Sequence, residues 1–186
     1  MSEPGRRLVH ASGSLVPIAY VADILTWPQV QGLVLLAMAI ATVLEGLRLS
    51  GRLDLWVYDR FTRDYEANWP AGYALALVGA SVTVLAFGPR VAVPALLMLT
   101  IADPVSGILS SGSLEVKQGY VLLATFGICL AIAGLLLVPP VPAVLGATAA
   151  TVADGVKPTI AGYVIDDNLT IPIGAAAAMQ VGFLLL

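Results

Sequence analysis

Long apolar runs divide this sequence, and they limit its fold more than any motif does. A helix that crosses a bilayer needs about 20 mostly apolar residues. Seven stretches fit, at about Leu8–Thr26 (interrupted by Pro17), Gln29–Leu47, Pro70–Phe87, Val91–Ile101 extending to Leu109, Gly119–Val138, Val141–Val152 and Leu169–Leu186. Pro and Gly between them, at Trp27–Pro28, Gly88–Arg90 and Pro139–Pro140, read as tight turns. The expected fold is all-α: one integral membrane domain over residues 1–186, a polytopic transmembrane bundle of about seven helices. Residues 1–7 are too short and polar for a cleaved signal, so the first run is read as a retained helix.

Charge sharpens that reading. Only 11% of the residues are charged, against about 25% in soluble domains. With the N-terminus inside, eight of the nine Lys and Arg residues fall on the cytoplasmic side, leaving only Arg90 outside. The acids were not used to set that orientation, yet among the twelve only Asp23 lies outside. The expected location is a cell membrane, with the N-terminus and the reactive groups cytoplasmic. A net charge of −3 with no basic face excludes a nucleic-acid binder. The segment 48–69 carries Leu53, Trp56, Val57, Phe61 and Tyr65 at helical spacing among Asp and Arg, which predicts an amphipathic helix on the membrane surface.

Ionisable residues inside or at the ends of membrane helices are costly and mark function by default. Four groups qualify. Arg6, Arg7 and His10 open the first run, either as a positive anchor or as a phosphate clamp. Glu45 and Arg48 are three apart at the end of the second, spaced for an ion pair. Asp103 follows an apolar run and precedes Pro104; small residues including Ser106 and Gly107, then Lys117, come after it. Such a stretch lets a phosphate approach the backbone, although no P-loop pattern is present. The fourth group spans Ala153–Pro172 and holds Asp154, Lys157, Asp166, Asp167 and Asn168. Asp and Asn there are also good helix caps. Asp103, Asp154, Asp166 and Asp167 together offer hard oxygen ligands for Mg²⁺ bridging to a substrate phosphate. A single His and a single Cys, Cys129, exclude a His/Cys zinc site.

These pieces resemble the CTP-dependent lipid-alcohol kinases, a family that includes dolichol kinase, phytol kinase and the CTP-dependent diacylglycerol kinase and is related to phosphatidate cytidylyltransferases. The matching parts are RRLVH near the start, Glu45-x-x-Arg48, ADPVSGIL at Ala102–Leu109, Lys117 with Gly119, and DDNLTIP at Asp166–Pro172. The family's Gly-Asp becomes Ala102-Asp103, and Asp154 stands where a Glu is usual. The resemblance implies transfer of the γ-phosphate of CTP to a membrane isoprenoid alcohol such as dolichol, with Mg²⁺ as the cofactor. It implies Asp103, His10 and Lys117 as catalytic groups, with Asp103 or His10 taking the hydroxyl proton. Arg6, Arg7, Glu45, Arg48, Ser106, Gly107, Lys157 and Asn168 would bind the nucleotide. Phytol-, geranylgeraniol- or diacylglycerol-like acceptors are alternatives, as is a cytidylyltransferase that makes a CDP-lipid. A non-catalytic transporter would spread its charges to both faces or the midplane.

Overall fold

The computed structural model describes residues 3–52, 62, 66–110, 116–156, 159–160, 163–164 and 166–186. The architecture is all-α. The helices are α1 (Glu3–Ser12), α2 (Leu15–Val21), α3 (Trp27–Leu49), α4 (Gly72–Ala86), α5 (Pro89–Leu97), α6 (Asp103–Leu109), α7 (Gly119–Leu135), α8 (Pro140–Gly155) and α9 (Asp167–Leu184). A π-turn, Met98–Ala102, joins α5 to α6 without a break. A minimal hairpin pairs Thr159–Ile160 with Tyr163–Val164 between α8 and α9. The apolar positions of the surface helix expected over 48–69, Leu53, Trp56, Val57, Phe61 and Tyr65, all lie outside the described residues.

The first apolar run breaks at Gly13–Ser14 and not at Pro17. Pro17 sits in the first turn of α2, where its missing N–H removes no helical hydrogen bond. The same tolerance moves the expected turns. Trp27–Pro28, Pro89–Arg90 and Pro140 are first-turn residues of α3, α5 and α8, and the chain reverses just before them. Gln29 Oε1 helps start α3 by accepting from Thr26 N at 2.8 Å and Thr26 Oγ1 at 3.0 Å. Asp23 and Leu137 adopt left-handed backbone just after α2 and α7. There Leu137 N returns to Gly134 O and Val138 N to Ala133 O, closing the last turn of α7.

The α9 helix runs through the middle of the molecule and packs on α8, α4, α5 and the π-turn. The larger apolar core gathers Met98, Leu99, Cys129, Ile171 and Met179 there. A smaller cluster of Val30, Val34, Ala80, Val84 and Leu96 joins α3, α4 and α5. The α4–α9 approach depends on Gly79, where a Cβ would lie 2.9 Å from Asn168 O and 3.0 Å from Pro172 Cγ. Pro172 has no N–H to give Asn168 O, so this carbonyl faces α4 instead. Gly79 thus fixes how closely the start of α9, with its acids, can approach α4.

Among the described residues, two continuous helices are long and apolar enough to cross a membrane: Trp27–Leu49 and Pro89–Leu109. The helices α4 and α7 are apolar but shorter. The Trp27–Leu49 helix shows much of its surface outward, with Leu36, Ile40 and Val43 exposed; Pro89–Leu109 is largely enclosed.

Candidate metal and phosphate site

Asp103 arrives on a helix whose hydrogen bonding has slipped by one residue. Its N–H donates to Met98 O, five residues back. Leu99 O, the partner it would have in a regular α-helix, is left for a side chain. His10 Nε2 takes it at 3.2 Å. A carbonyl only accepts, so Nε2 carries the ring hydrogen. The same nitrogen lies 3.9 Å from Asp103 Oδ2. The π-turn therefore brings α1 to the start of α6.

Asp154 comes from the last turn of α8 and is 1% exposed. Lys117 Nζ donates to its Oδ1 at 2.5 Å, and Ser106 Oγ donates to its Oδ2 at 2.6 Å. Lys117 also donates to Ser106 Oγ at 2.9 Å, closing a three-member ring between α6, the start of α7 and α8. Lys117 N to Gly155 O, 3.3 Å, ties the backbones together beside it. Thr125 Oγ1, on α7, lies 3.5 Å from Asp154 Oδ2. The motif reading missed Thr125; a hydroxyl in an otherwise apolar helix was the available signal.

Asp167 is the first residue of α9. Asp166 caps that helix: its Oδ1 accepts from Asn168 N at 3.0 Å and from Asn168 Nδ2. The two adjacent acids therefore do different work. One oxygen each from Asp103, Asp154 and Asp167 lies within 4.8 Å of the other two. Asp166, expected as a fourth ligand, is not in that group; it caps the helix.

Three carboxylates brought so close repel by about 3 kcal/mol per pair at an effective dielectric of ~20. Positive charge must offset this, and Lys117 lies beside them. Mg²⁺ binds oxygens at about 2.0–2.1 Å, which places neighbouring ligand oxygens roughly 3–4 Å apart. Three carboxylate oxygens from separate helices, within 4.8 Å of one another, are the donor set that a hard divalent cation takes. Arg7 lays its guanidinium across Gly107: a Cβ there would lie 3.1 Å from Arg7 Nε. Arg6 and Asn168 border a large apolar cavity next to the acids.

Glu45 and Arg48, expected to bind nucleotide, are engaged with the protein itself. Glu45 accepts four hydrogen bonds, from Arg48 Nε (3.0 Å), Arg48 Nη2 (2.7 Å), Ala71 N (2.6 Å) and Tyr73 Oη (2.6 Å). Arg48 also donates to the carbonyls of Glu66, Ala67 and Trp69. The pair is a clamp that fastens the end of α3 to the chain entering α4. It acts on the site at one remove, because the clamped Gly72 lies against the Asn168 side chain. Lys157, Ser111 and Gly112 lie outside the described residues.

No protein-family model matches the chain, and no curated protein or solved structure matches it. The family resemblance therefore rests on the motif residues themselves.

Proposed function

We propose that the chain is a multi-pass membrane kinase that moves the γ-phosphate of CTP to the hydroxyl of an isoprenoid alcohol at the cytoplasmic face. One observation carries this reading. Asp103, Asp154 and Asp167, each from a different helix and up to 64 positions apart in sequence, converge within 4.8 Å. Exposed Leu36, Leu85, Leu123, Leu135 and Leu184, spread over α3, α4, α7 and α9, support a lipid-facing perimeter for a bundle of about seven spans. The preference for CTP comes from the family resemblance.

Phosphoryl transfer depends on positioning and charge neutralisation more than on covalent chemistry. A bound Mg²⁺ would supply both to the β- and γ-phosphates from Asp103, Asp154 and Asp167. Lys117 and Arg7 offer cationic donors to phosphate oxygens beside it. In the reaction the alcohol oxygen bonds to the γ-phosphorus, and the bond from that phosphorus to the β,γ-bridging oxygen breaks. CDP leaves, and the hydroxyl proton passes to a base. Asp103 or His10 would be that base; with the Nε2 hydrogen given to Leu99 O, Nδ1 is the His10 nitrogen that would take the proton.

The test uses CTP labelled at either the α- or the γ-phosphate, with geranylgeraniol, dolichol, dolichyl phosphate and phosphatidate as acceptors. γ-label on the lipid supports a kinase. α-label on a lipid phosphate supports a cytidylyltransferase instead. No transfer of either label with any acceptor would overturn an enzymatic role.

A further inference from the structure

A cavity of about 630 Å³ adjoins the acids and runs between α1, α2, α3, α4 and the π-turn. On α3 its lining runs from Leu44 to Leu33, eleven residues, or about 16 Å of helix. Its two ends differ. Near Leu44 it meets Arg6, His10, Tyr73 and Asn168. At the far end it meets Val34, Ala80 and Leu96 of the smaller apolar cluster. Its wall also includes Val9 and Leu33, both exposed, which gives it a side opening towards lipid.

The polar end holds an unfilled acceptor. Asn168 is 7% exposed, and its Oδ1 is buried with no hydrogen-bond partner among the described residues. Its Nδ2 is committed to Asp166, which fixes which amide atom is the oxygen. A buried acceptor left unpaired among the described residues is uncommon, and it offers a place for a ligand's donor.

We infer that this cavity holds the tail of a single-chain alcohol of about 20 carbons, whose hydroxyl enters at the Asn168 end beside Asp103. If a carbon takes up about as much room as a water in the liquid, ~30 Å³, the cavity holds roughly 20 of them. The two tails of a glycerol lipid branch beside its hydroxyl, so both would have to enter together at the polar end of a cavity with room for about one. A longer polyprenol places its first units inside and passes the rest through the side opening. This inference rests on the kinase reading for the fate of the hydroxyl, and on the cavity alone for the tail.

The experiment uses the full chain in dioleoylphosphatidylglycerol nanodiscs with geranylgeraniol carrying a diazirine near its tail end. Photolabelling is mapped by mass spectrometry. Labelling should centre on Leu33, Ala37, Ala76 and Ala80. Excess geranylgeraniol should remove it, and equal dioleoylglycerol should not. Ala37→Phe, on a half-exposed face, should lower it at least tenfold. Leu33→Trp, which narrows the side opening, should lower it as well, giving a second reading if the first variant folds poorly. Equal labelling of Leu123 and Leu135, equal competition by dioleoylglycerol, or undiminished labelling of both variants would overturn the inference. Cavity labelling without transfer of any CTP label would keep the tail site and remove the kinase reading. Transfer without cavity labelling would do the reverse.

Discussion

Two buried acidic clusters in this molecule look alike in sequence and differ in structure. At the Glu45 clamp, one carboxylate collects four hydrogen bonds from the protein itself, two of them from a single guanidinium. At the Asp103–Asp154–Asp167 cluster, three carboxylates from three helices are pressed within 4.8 Å. One acid with many donors describes a joint. Three acids from three helices, with Lys117 on one of them, are the donor set that the proposed cation would use. Helical spacing does not reveal the difference, because the partners come from distant parts of the chain.

Mutations should separate the two regions. Removing the clamp should cost most in stability. Glu45→Ala leaves the half-buried Arg48 without its anion and takes the acceptor from Ala71 N and Tyr73 Oη, and the expected loss is about 3–5 kcal/mol. Denaturation of the detergent-solubilised protein reads this, and activity per folded molecule should fall far less. A catalytic collapse in a well-folded Glu45→Ala protein would move the pair into the reactive site. Asp167→Asn should do the opposite. Removal of a group that stabilises transferring charge lowers turnover by about 10²–10³-fold, roughly 2.7–4 kcal/mol. Relief of repulsion should leave melting unchanged or raised. An Asp167→Asn protein that transfers label normally would end the proposed site.

Metal should stabilise one region alone. At 100 times its dissociation constant, Mg²⁺ should add about 2.7 kcal/mol to the wild type. It should add little to Asp103→Asn and the full amount to the milder clamp variant Glu45→Gln. Equal stabilisation of all three would show that the ion binds elsewhere. The smallest effect is expected at Gly107→Ala. The new methyl would crowd Arg7 Nε at 3.1 Å. A flexible side chain can give way, so we expect about a tenfold loss in affinity for nucleotide, ~1.4 kcal/mol, with stability nearly unchanged. No change in nucleotide affinity would remove Arg7 from the phosphate contacts.

Much of this could be read from residue types. Apolar runs located α3 to α9 within a few residues, since a helix hydrophobic on most sides leaves little ambiguity. Asp103, Asp154, Asp167 and Lys117 stood out because charge is rare in such a background. Other features were hidden. Nothing local distinguishes Asp166 from Asp167, yet one caps a helix and the other faces two distant acids. The role of Glu45 required knowing that Ala71 and Tyr73 return to it from 26 and 28 residues away. The chain breaks at Gly13 and not at Pro17 because a proline near a helix start is harmless, a matter of position and not of residue type.

The slipped backbone at Met98–Ala102 has a consequence for how this chain can change. A π-turn holds one residue more than the helix around it needs. Deleting a single residue there would let the backbone return to an even spiral, a locally favourable outcome. Asp103 and all that follows would keep their facing, because the wide turn absorbs its extra residue without rotating the helix beyond it. A deletion in the regular turns of Pro89–Leu97 would instead rotate Asp103 by about 100°, away from its two companions. Loss of one residue should therefore be tolerated at Met98–Ala102 and not in the helix before it.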